Sequence, residues 1–476
     1  MKREVRVLIV EDKEADWTPL VEEFDKFDAA IDHVIAPTAL EARSEVEAGS
    51  FDLVVCDLKV PSGPGLLDAD PEYGRSIFQL LQDALPGTPV IVFSGHATPG
   101  MIPDFVNVAR KVDVLGQQFE IQMVQFFVKD QLAECLEALR ELTEGFYRLE
   151  DIVISTGPRD IDLTADEKRV LRIYGSRLGA SMIDVSALGG GLSDSNPLRV
   201  EVKDENGARR SLVAAKLSPI AGVRREAGRY DQLSGLMPPG AGAALVGNVQ
   251  DGAAGIGGLF FQMADGHTSL FALPKDDEDG AIAALSDLRA KLGVWHKNAP
   301  ADQRPVSELR RMLLSDDHFA DFVREQARPR WQEADDLSVF LKPCIQHCDL
   351  HGFNVLVDSD RSAVLIDYGE VADATAALDP VTIELSAIFH PDATDLMRGW
   401  PDESQTEQWA HLDSYVEGCP FAGFIKACRE WAHDVAASDQ EVYACGLAYA
   451  VRQLKYGNAL EPIAVGIADA ASAALT

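Results

Sequence analysis

The first 142 residues alternate short, almost wholly apolar runs with stretches of helical periodicity, and this alternation restricts the fold more than any other feature. The runs are 5–10, 33–36, 53–56, 90–93 and 126–128. Between them the spacing of apolar residues predicts helices near 16–26, 38–48, 74–85, 99–111 and 130–142, with Thr38 and Glu41 forming a capping box for the second. Strands apolar on both sides must be covered on both faces, so the expected fold is a five-stranded, doubly wound parallel sheet of α/β class. The apolar stripe Leu132, Cys135, Leu136, Leu139 and Leu142 on the last helix packs either on its own sheet or on another surface: an interdomain contact or a homodimer.

The remaining chain reads as more than one further layer. Turn chemistry at Thr156-Gly-Pro and Asp160-Ile-Asp makes 143–182 a linker and capping helix, with Thr164 and Glu167 capping a helix to about Leu178. Residues 183–265 are β-rich, with a helix expected to start at Ser218 and Pro219 as N-cap and first residue. Residues 266–476 are mainly helical apart from a strand–turn–strand block at 345–368, and Asp276-Asp-Glu-Asp279 reads as a solvated loop. The whole is a multidomain chain: a doubly wound domain over 1–142, then a two-lobed α+β module.

Composition narrows the partners. Among 476 residues, 77 acidic against 43 basic side chains leave a formal charge of −34, which repels a phosphate backbone and an anionic membrane surface, so neither nucleic acid nor membrane is expected. No apolar run approaches the roughly 20 residues needed to cross a bilayer. The first residues enter a strand directly and do not read as a signal peptide. Seven scattered cysteines point to free thiols in a reducing, cytoplasmic compartment.

In a doubly wound sheet, ligands sit beyond the carboxyl ends of the strands. Glu11 and Asp12 follow the first strand, Asp57 the third, Ser94 the fourth and Lys129 the fifth. Like charges about 4 Å apart cost on the order of 4 kcal/mol at an effective dielectric near 20, so three carboxylates call for a divalent cation, and an oxygen-only set suits Mg²⁺. Ser94 and Lys129 supply donors for a phosphoryl group, and a carboxylate can itself be phosphorylated.

These segments, Val-Leu-Ile-Val-Glu11-Asp12, Val-Val-Cys-Asp57-Leu-Lys-Val-Pro61, Val-Phe-Ser94-Gly and Phe126-Phe-Val-Lys129, resemble a response-regulator receiver domain over about residues 4–142. The resemblance implies that Asp57 is the phosphoacceptor, that Glu11, Asp12 and Asp57 hold Mg²⁺, and that Ser94 and Lys129 contact the phosphoryl group. It makes Phe126 a switch aromatic, although a core phenylalanine explains that position equally. It also implies a histidine kinase or phosphotransfer protein as partner. The stretches 61–74 and 95–125 are longer than is usual in that family.

The second constellation is Gln346-His347-Cys-Asp349-Leu-His351-Gly-Phe-Asn354, followed by Val364-Leu-Ile-Asp367-Tyr-Gly369. Moving a phosphoryl group from ATP to a hydroxyl needs a carboxylate beside the acceptor and oxygen ligands for Mg²⁺ against the phosphates, and this spacing provides both. Upstream, Gly189, Gly190 and Gly191 form a turn whose backbone N–H groups suit phosphates, although such turns are commonly plain hairpins. Lys216 ends a strand-like run, and Glu226 lies where it can pair with that lysine.

This set resembles the aminoglycoside phosphotransferase and choline kinase family, relatives of the protein kinases, over roughly 183–460, with Cys348 where that family's motif has glycine and Tyr368 where protein kinases have phenylalanine. The resemblance implies that Asp349 is the catalytic base, that Asn354 and Asp367 bind Mg²⁺, that Lys216 contacts ATP and that Glu226 orients it. Asp379 marks a helix start of structural role. The combined expectation is a two-component signalling protein whose receiver regulates an ATP-dependent phosphotransferase acting on an unidentified small-molecule or protein hydroxyl. The competing expectation is a phosphorylation-gated adaptor whose kinase-like lobe binds nucleotide without catalysis.

Overall fold

The computed structural model describes residues 2–95, 110–116, 120–157, 161–188, 197–233, 235, 237, 240–263, 265–393, 396–397, 399–458 and 460–476. The chain divides into two compact units: Met1–Ser186 with Pro197–Ala227 and Leu245–Gln262, and Ala187–Asn196 with Gly228–Ala244 and Met263–Thr476.

The first unit opens with the expected parallel sheet. Strands β1 (Val5–Val10), β2 (Ile31–Ala36), β3 (Leu53–Cys56), β4 (Val90–Phe93) and β5 (Val124–Phe127) lie in the order β2-β1-β3-β4-β5, all parallel. Both faces are filled, as strands buried on two sides require. Val5, Val7 and Ile9 point into one core with Leu139 and Phe146, and Leu8 and Val10 point into another with Ile77 and Leu81. Helices α1 (Glu14–Phe24), α2 (Ala39–Ala48), α3 (Pro71–Ala84) and α4 (Leu132–Leu149) cover the sheet. Thr38 caps α2 as expected, accepting from the Glu41 N–H at 3.2 Å. The helix expected near 99–111 lies outside the described residues except at its end, where Lys111–Val112 pairs antiparallel with Ile121–Gln122.

Of the stripe on α4, Cys135, Leu139 and Leu142 are buried in a cluster that holds Val5 and Ile9 of the parallel sheet and also Val170 and Val200 farther along the chain, so the helix packs both on its own sheet and on later segments. Residues 143–149, expected to begin a linker, instead complete α4. Residues 153–156 form a strand, β6 (Val153–Thr156), that pairs in parallel with β7 (Met182–Ala187). The apolar continuity of Phe146, Leu149 and Ile152 outweighs the turn signals that follow. Helix α5 (Ala165–Arg177) carries the expected capping box at Thr164 and Glu167.

With β8 (Leu198–Lys203), β9 (Arg209–Pro219), β10 (Leu245–Val249) and β11 (Ile256–Gln262), a second sheet forms in the order β10-β11-β9-β8-β7-β6. A single apolar cluster runs from the parallel sheet through α4 and α5 to Val200 and Phe260 of this sheet. Beneath it, fully buried Arg169 lies 3.2 Å from Asp52 and 3.3 Å from Glu150. The expected helix start at Ser218 and Pro219 is corrected: both residues end β9, paired with Gly257 and Ile256, and the helix α6 begins at Ile220 (Ile220–Leu233).

The second unit is mainly helical. Strand β12 (Pro343–Gln346) pairs antiparallel with β15 (Ala372–Thr375), and β13 (Val355–Val357) forms a hairpin with β14 (Ala363–Leu365). Helix α7 (Glu278–His296) starts inside the acidic run expected to be a loop: Asp277 accepts from the Gly280 N–H at 2.8 Å, and carboxylates suit a helix N-terminus. Helices α8 (Leu378–Phe389), α9 (Ala422–Val435), α10 (Asp439–Gln453) and α11 (Glu461–Leu475) complete the unit. Every residue of α8 is buried, including Glu384, which pairs with buried Arg429 at 2.6 Å. No described helix is long and apolar enough to cross a membrane.

Candidate functional site

In the first unit the parallel ladder continues one residue past the strands and so fixes the residues that follow them. The Glu11 N–H donates to the Ala36 carbonyl at 3.3 Å, the Asp57 N–H to the Val10 carbonyl at 2.8 Å and the Ser94 N–H to the Phe127 carbonyl at 3.1 Å. The strand ends therefore bring Glu11, Asp57, Ser94 and Lys129 to one edge. The Lys129 ammonium bonds Glu11, lies 2.8 Å from Asp16 and 3.2 Å from Asp57. Glu11, Asp57 and Ser94 are buried, Asp57 being 4% exposed. Phe126 is half-exposed rather than in the core.

A single ammonium offsets only part of the carboxylate charge in this cluster. Burial pushes the Glu11 carboxyl up to about 7, the Lys129 bond opposing and the Asp57 charge adding to it. Burial alone would lower the Lys129 pKa, but the bonds to Asp16 and Glu11 and the Asp57 charge hold it above its ordinary range. Among the described residues no group of three or more His, Cys, Asp or Glu side chains forms a ready metal-ligand set. The donor chemistry nonetheless fits a hard divalent cation: the set is all oxygen, and Asp12 Oδ1 is buried without a hydrogen-bond partner. Asp16, in the first turn of α1, belongs to the cluster, and nothing in its sequence context distinguishes it from an ordinary helix-start acid.

The other expected residues of this unit, Lys216 on β9 and Glu226 on α6, form an ion pair at 2.9 Å, with Glu226 buried. A lysine aligned by a buried carboxylate is the arrangement kinases use toward ATP phosphates. Gly189, Gly190 and Gly191 lie outside the described residues.

In the second unit the loop between β12 and β13 carries Asp349 and Asn354, and Asp367 follows β14. The hairpin pairs Val355 with Leu365, and the Ile366 N–H donates to the Asn354 carbonyl at 3.0 Å, so Asn354 and Asp367 lie on adjacent chain segments. Asn354 Nδ2 donates to the Asp349 carbonyl at 3.0 Å, tying the two ends of the loop together. Asp379, at the start of α8, accepts from the His347 N–H at 2.7 Å and the Cys348 N–H at 2.9 Å, so its expected structural role takes the form of a backbone anchor. Burial pushes its carboxyl up to about 6, opposed by His347 and these two bonds.

Two residues here take left-handed backbone, Cys348 at φ 64° and Asp367 at φ 63°. Non-glycine residues hold such conformations only where their surroundings over-determine them, and they cluster at functional sites. At Gly352 a Cβ would lie 2.2 Å from the Phe271 ring, so only glycine fits.

Asp349 itself is 36% exposed. The His351 imidazole lies 3.9 Å from one carboxylate oxygen and the Arg452 guanidinium 4.0 Å from the other. Burial pushes His351 down to about 4, so it stands neutral, and its ring lies 4.5 Å from that of His390. His390 and Arg452 are 41 and 103 residues beyond Asp349 in the chain, and no local motif announces either.

Residues 184–417 match the phosphotransferase enzyme family. Among solved structures, choline kinase LicA from Streptococcus pneumoniae is similar at 15% identity, covering 66% of this chain and 99% of that one with a TM-score of 0.35. An aminoglycoside-3'-phosphotransferase of type VIII is similar at 18% identity, covering 56% and 100%, with a TM-score of 0.33. A CheY-like receiver domain protein from Methanospirillum hungatei JF-1 is similar at 21% identity, covering 30% and 97%, with a TM-score of 0.22. No curated protein matches the chain. The protein is a multidomain chain in which a five-stranded parallel sheet precedes a stretch, 184–417, that matches the phosphotransferase enzyme family.

Proposed function

We propose that the protein is an ATP-dependent phosphotransferase acting on a hydroxyl group, its activity set by phosphorylation of Asp57 in the receiver-like sheet. The observation that carries this reading is the loop 347–354, in which Asp349 and Asn354 are tied together at 3.0 Å and Asn354 is hydrogen-bonded to the segment entering Asp367. In this reading Asp349 accepts the proton of the acceptor hydroxyl as its oxygen attacks the γ-phosphorus. The new O–P bond forms as the bond to the β–γ bridging oxygen breaks, and ADP departs with that electron pair. Lys216, held by Glu226, contacts the ATP phosphates. The side-chain oxygens of Asn354 and Asp367 hold Mg²⁺, which neutralises phosphate charge.

In the receiver-like sheet Asp57 is the phosphoacceptor, Glu11, Asp12 and Asp57 hold Mg²⁺, and Ser94 and Lys129 contact the phosphoryl oxygens. Because Asp57 is buried beside Lys129, phosphorylation draws the ammonium from Glu11 and Asp16 towards the new charge. A histidine kinase or phosphotransfer protein is the proposed donor. Seven free cysteines support a reducing, cytoplasmic setting.

The test is transfer of labelled γ-phosphate from Mg-ATP to a panel of hydroxyl acceptors, before and after treatment with acetyl phosphate. Transfer that is lost in Asp349→Ala, and whose rate changes on acetyl phosphate treatment in wild type but not in Asp57→Asn, supports the proposal. ATP binding with no transfer to any acceptor would favour the adaptor reading, and an equal response of Asp57→Asn would remove the regulatory half.

A further inference from the structure

The catalytic carboxylate proposed above has a permanent cation beside it, and this bears on what the enzyme phosphorylates. Arg452 is the penultimate residue of α10, in the last helical turn, where the helix dipole favours a positive charge. Its guanidinium lies 4.0 Å from Asp349 Oδ1, and both side chains reach solvent, at 26% and 36% exposure. One turn earlier, buried Tyr449 packs against Phe389 with ring centroids 6.3 Å apart, which anchors this end of the helix.

A separation of 4.0 Å is longer than a hydrogen bond of about 2.7–3.2 Å, so the Arg452 fork is not consumed by the base; Tyr456 bonds part of it, and a guanidinium has further N–H donors for a ligand. A guanidinium presents parallel N–H donors that match a carboxylate or phosphate. A hydroxyl delivering its proton to Asp349 must sit within about 3 Å of it. One small molecule satisfies both groups if its hydroxyl and its oxyanion are about two to four bonds of ~1.5 Å apart.

The field of the rest of the protein strengthens the argument. A chain of formal charge −34 disfavours an anionic acceptor overall, so such an acceptor needs a local cation such as Arg452. A cationic acceptor placed at Asp349 also meets Arg452, and the repulsion of like charges about 4 Å apart, on the order of 4 kcal/mol at an effective dielectric near 20, offsets the attraction of the carboxylate.

Building on the phosphotransferase reading, we propose that Arg452 determines acceptor specificity and that the acceptor is a small alcohol bearing a carboxylate or phosphate close to the reacting hydroxyl. The hydroxyl oxygen forms the bond to the γ-phosphorus, Asp349 takes its proton and ADP leaves. Arg452 holds the acceptor's anion and takes no part in bond making.

The experiment uses the full-length protein with D-glycerate and glycerol 3-phosphate as anionic probes, and glycerol, choline and kanamycin as neutral and cationic ones. Binding is measured by calorimetry and transfer by labelled Mg-ATP, for wild type, Arg452→Gln and Arg452→Lys. The expected result is binding and phosphorylation of at least one anionic probe, with the acceptor KM raised about 10- to 100-fold in Arg452→Gln while the KM for ATP stays near wild type. Arg452→Lys keeps the charge without the fork and is expected to fall between the two, which separates loss of the anion site from loss of folding. Comparing the two anions tells carboxylate from phosphate.

Preference for choline or kanamycin, absence of binding by both anions, or an acceptor KM unchanged in Arg452→Gln overturns the inference while leaving the phosphotransferase reading in place. Arg452-dependent binding of an anion without transfer by the wild type has the opposite meaning: the specificity stands and the catalytic reading falls.

Discussion

In the first unit Glu11, Asp16 and Asp57 are gathered around Lys129 by charge, whereas in the second the loop 347–354 is held through its backbone by Asp379 and by the Asn354 amide. The first arrangement is a balance of one ammonium against buried carboxylates, so any added charge, whether a proton, a divalent cation or a phosphoryl group, must redistribute it. The second keeps its shape with little help from net charge, because two N–H groups and an amide fix the chain and left-handed Cys348 and Asp367 turn it. A charge-coupled cluster and a backbone-anchored loop are what the proposed regulatory and catalytic roles respectively need.

The contrast is most sharply tested by removing Asp349. Asp349→Ala is expected to lower phosphoryl transfer by about 10²–10⁴-fold, the usual contribution of a positioned general base, and to leave the melting temperature unchanged, since the partly exposed carboxylate holds none of the loop. Loss of stability in this variant would mean the loop depends on side-chain charge after all. Asp379→Ala should do the reverse of a purely chemical lesion. It leaves two buried N–H groups unpaired and is expected to cost about 2–4 kcal/mol in urea unfolding, with activity falling alongside.

Lys129→Met removes the ammonium from three carboxylates and is expected to cost about 1–3 kcal/mol, a penalty that divalent cation should partly reverse. A variant as stable as wild type and indifferent to Mg²⁺ would contradict the charge-balance account.

The last test is a pH slope. The Asp379 carboxyl is raised from 3.8 to about 6 by burial, so the folded protein holds its proton where the unfolded chain has lost it. That stabilising contribution is fully present below 3.8 and is lost as pH rises through about 6. The stability of wild type relative to Asp379→Asn should therefore decline across that interval and level off above it. A difference that is constant with pH would show that the buried carboxyl is not shifted.

Much of the fold was legible because it rests on local pattern. The five strands of the first sheet are continuous apolar runs, and Thr38 with Glu41 and Thr164 with Glu167 are caps whose partners are three residues apart. The structure departs from the local pattern where a tertiary contact overrides it. Pro219, which normally opens a helix, ends β9 because its strand pairs with β11. The turn residues after 142 lie beyond a helix kept going by burial of Phe146 and Leu149, and Asp277 caps a helix instead of lying in a solvated loop. The site followed the same division. Asp349, Asn354 and Asp367 stand in a compact motif, but Asp16, His390 and Arg452 reach their places through the folding of distant segments and leave no local trace.

The sequence by itself determined which side chains can do chemistry and on which elements they stand, because strand ends, caps and a short motif are properties of neighbours in the chain. Only the tertiary structure decided how those side chains are compensated: that one lysine serves three carboxylates, that a buried aspartate 31 residues beyond Cys348 anchors the loop backbone, and that an arginine 103 residues beyond Asp349 stands beside it. Charge and hydrogen-bond partners depend on distance in space, and separation along the chain does not encode that distance.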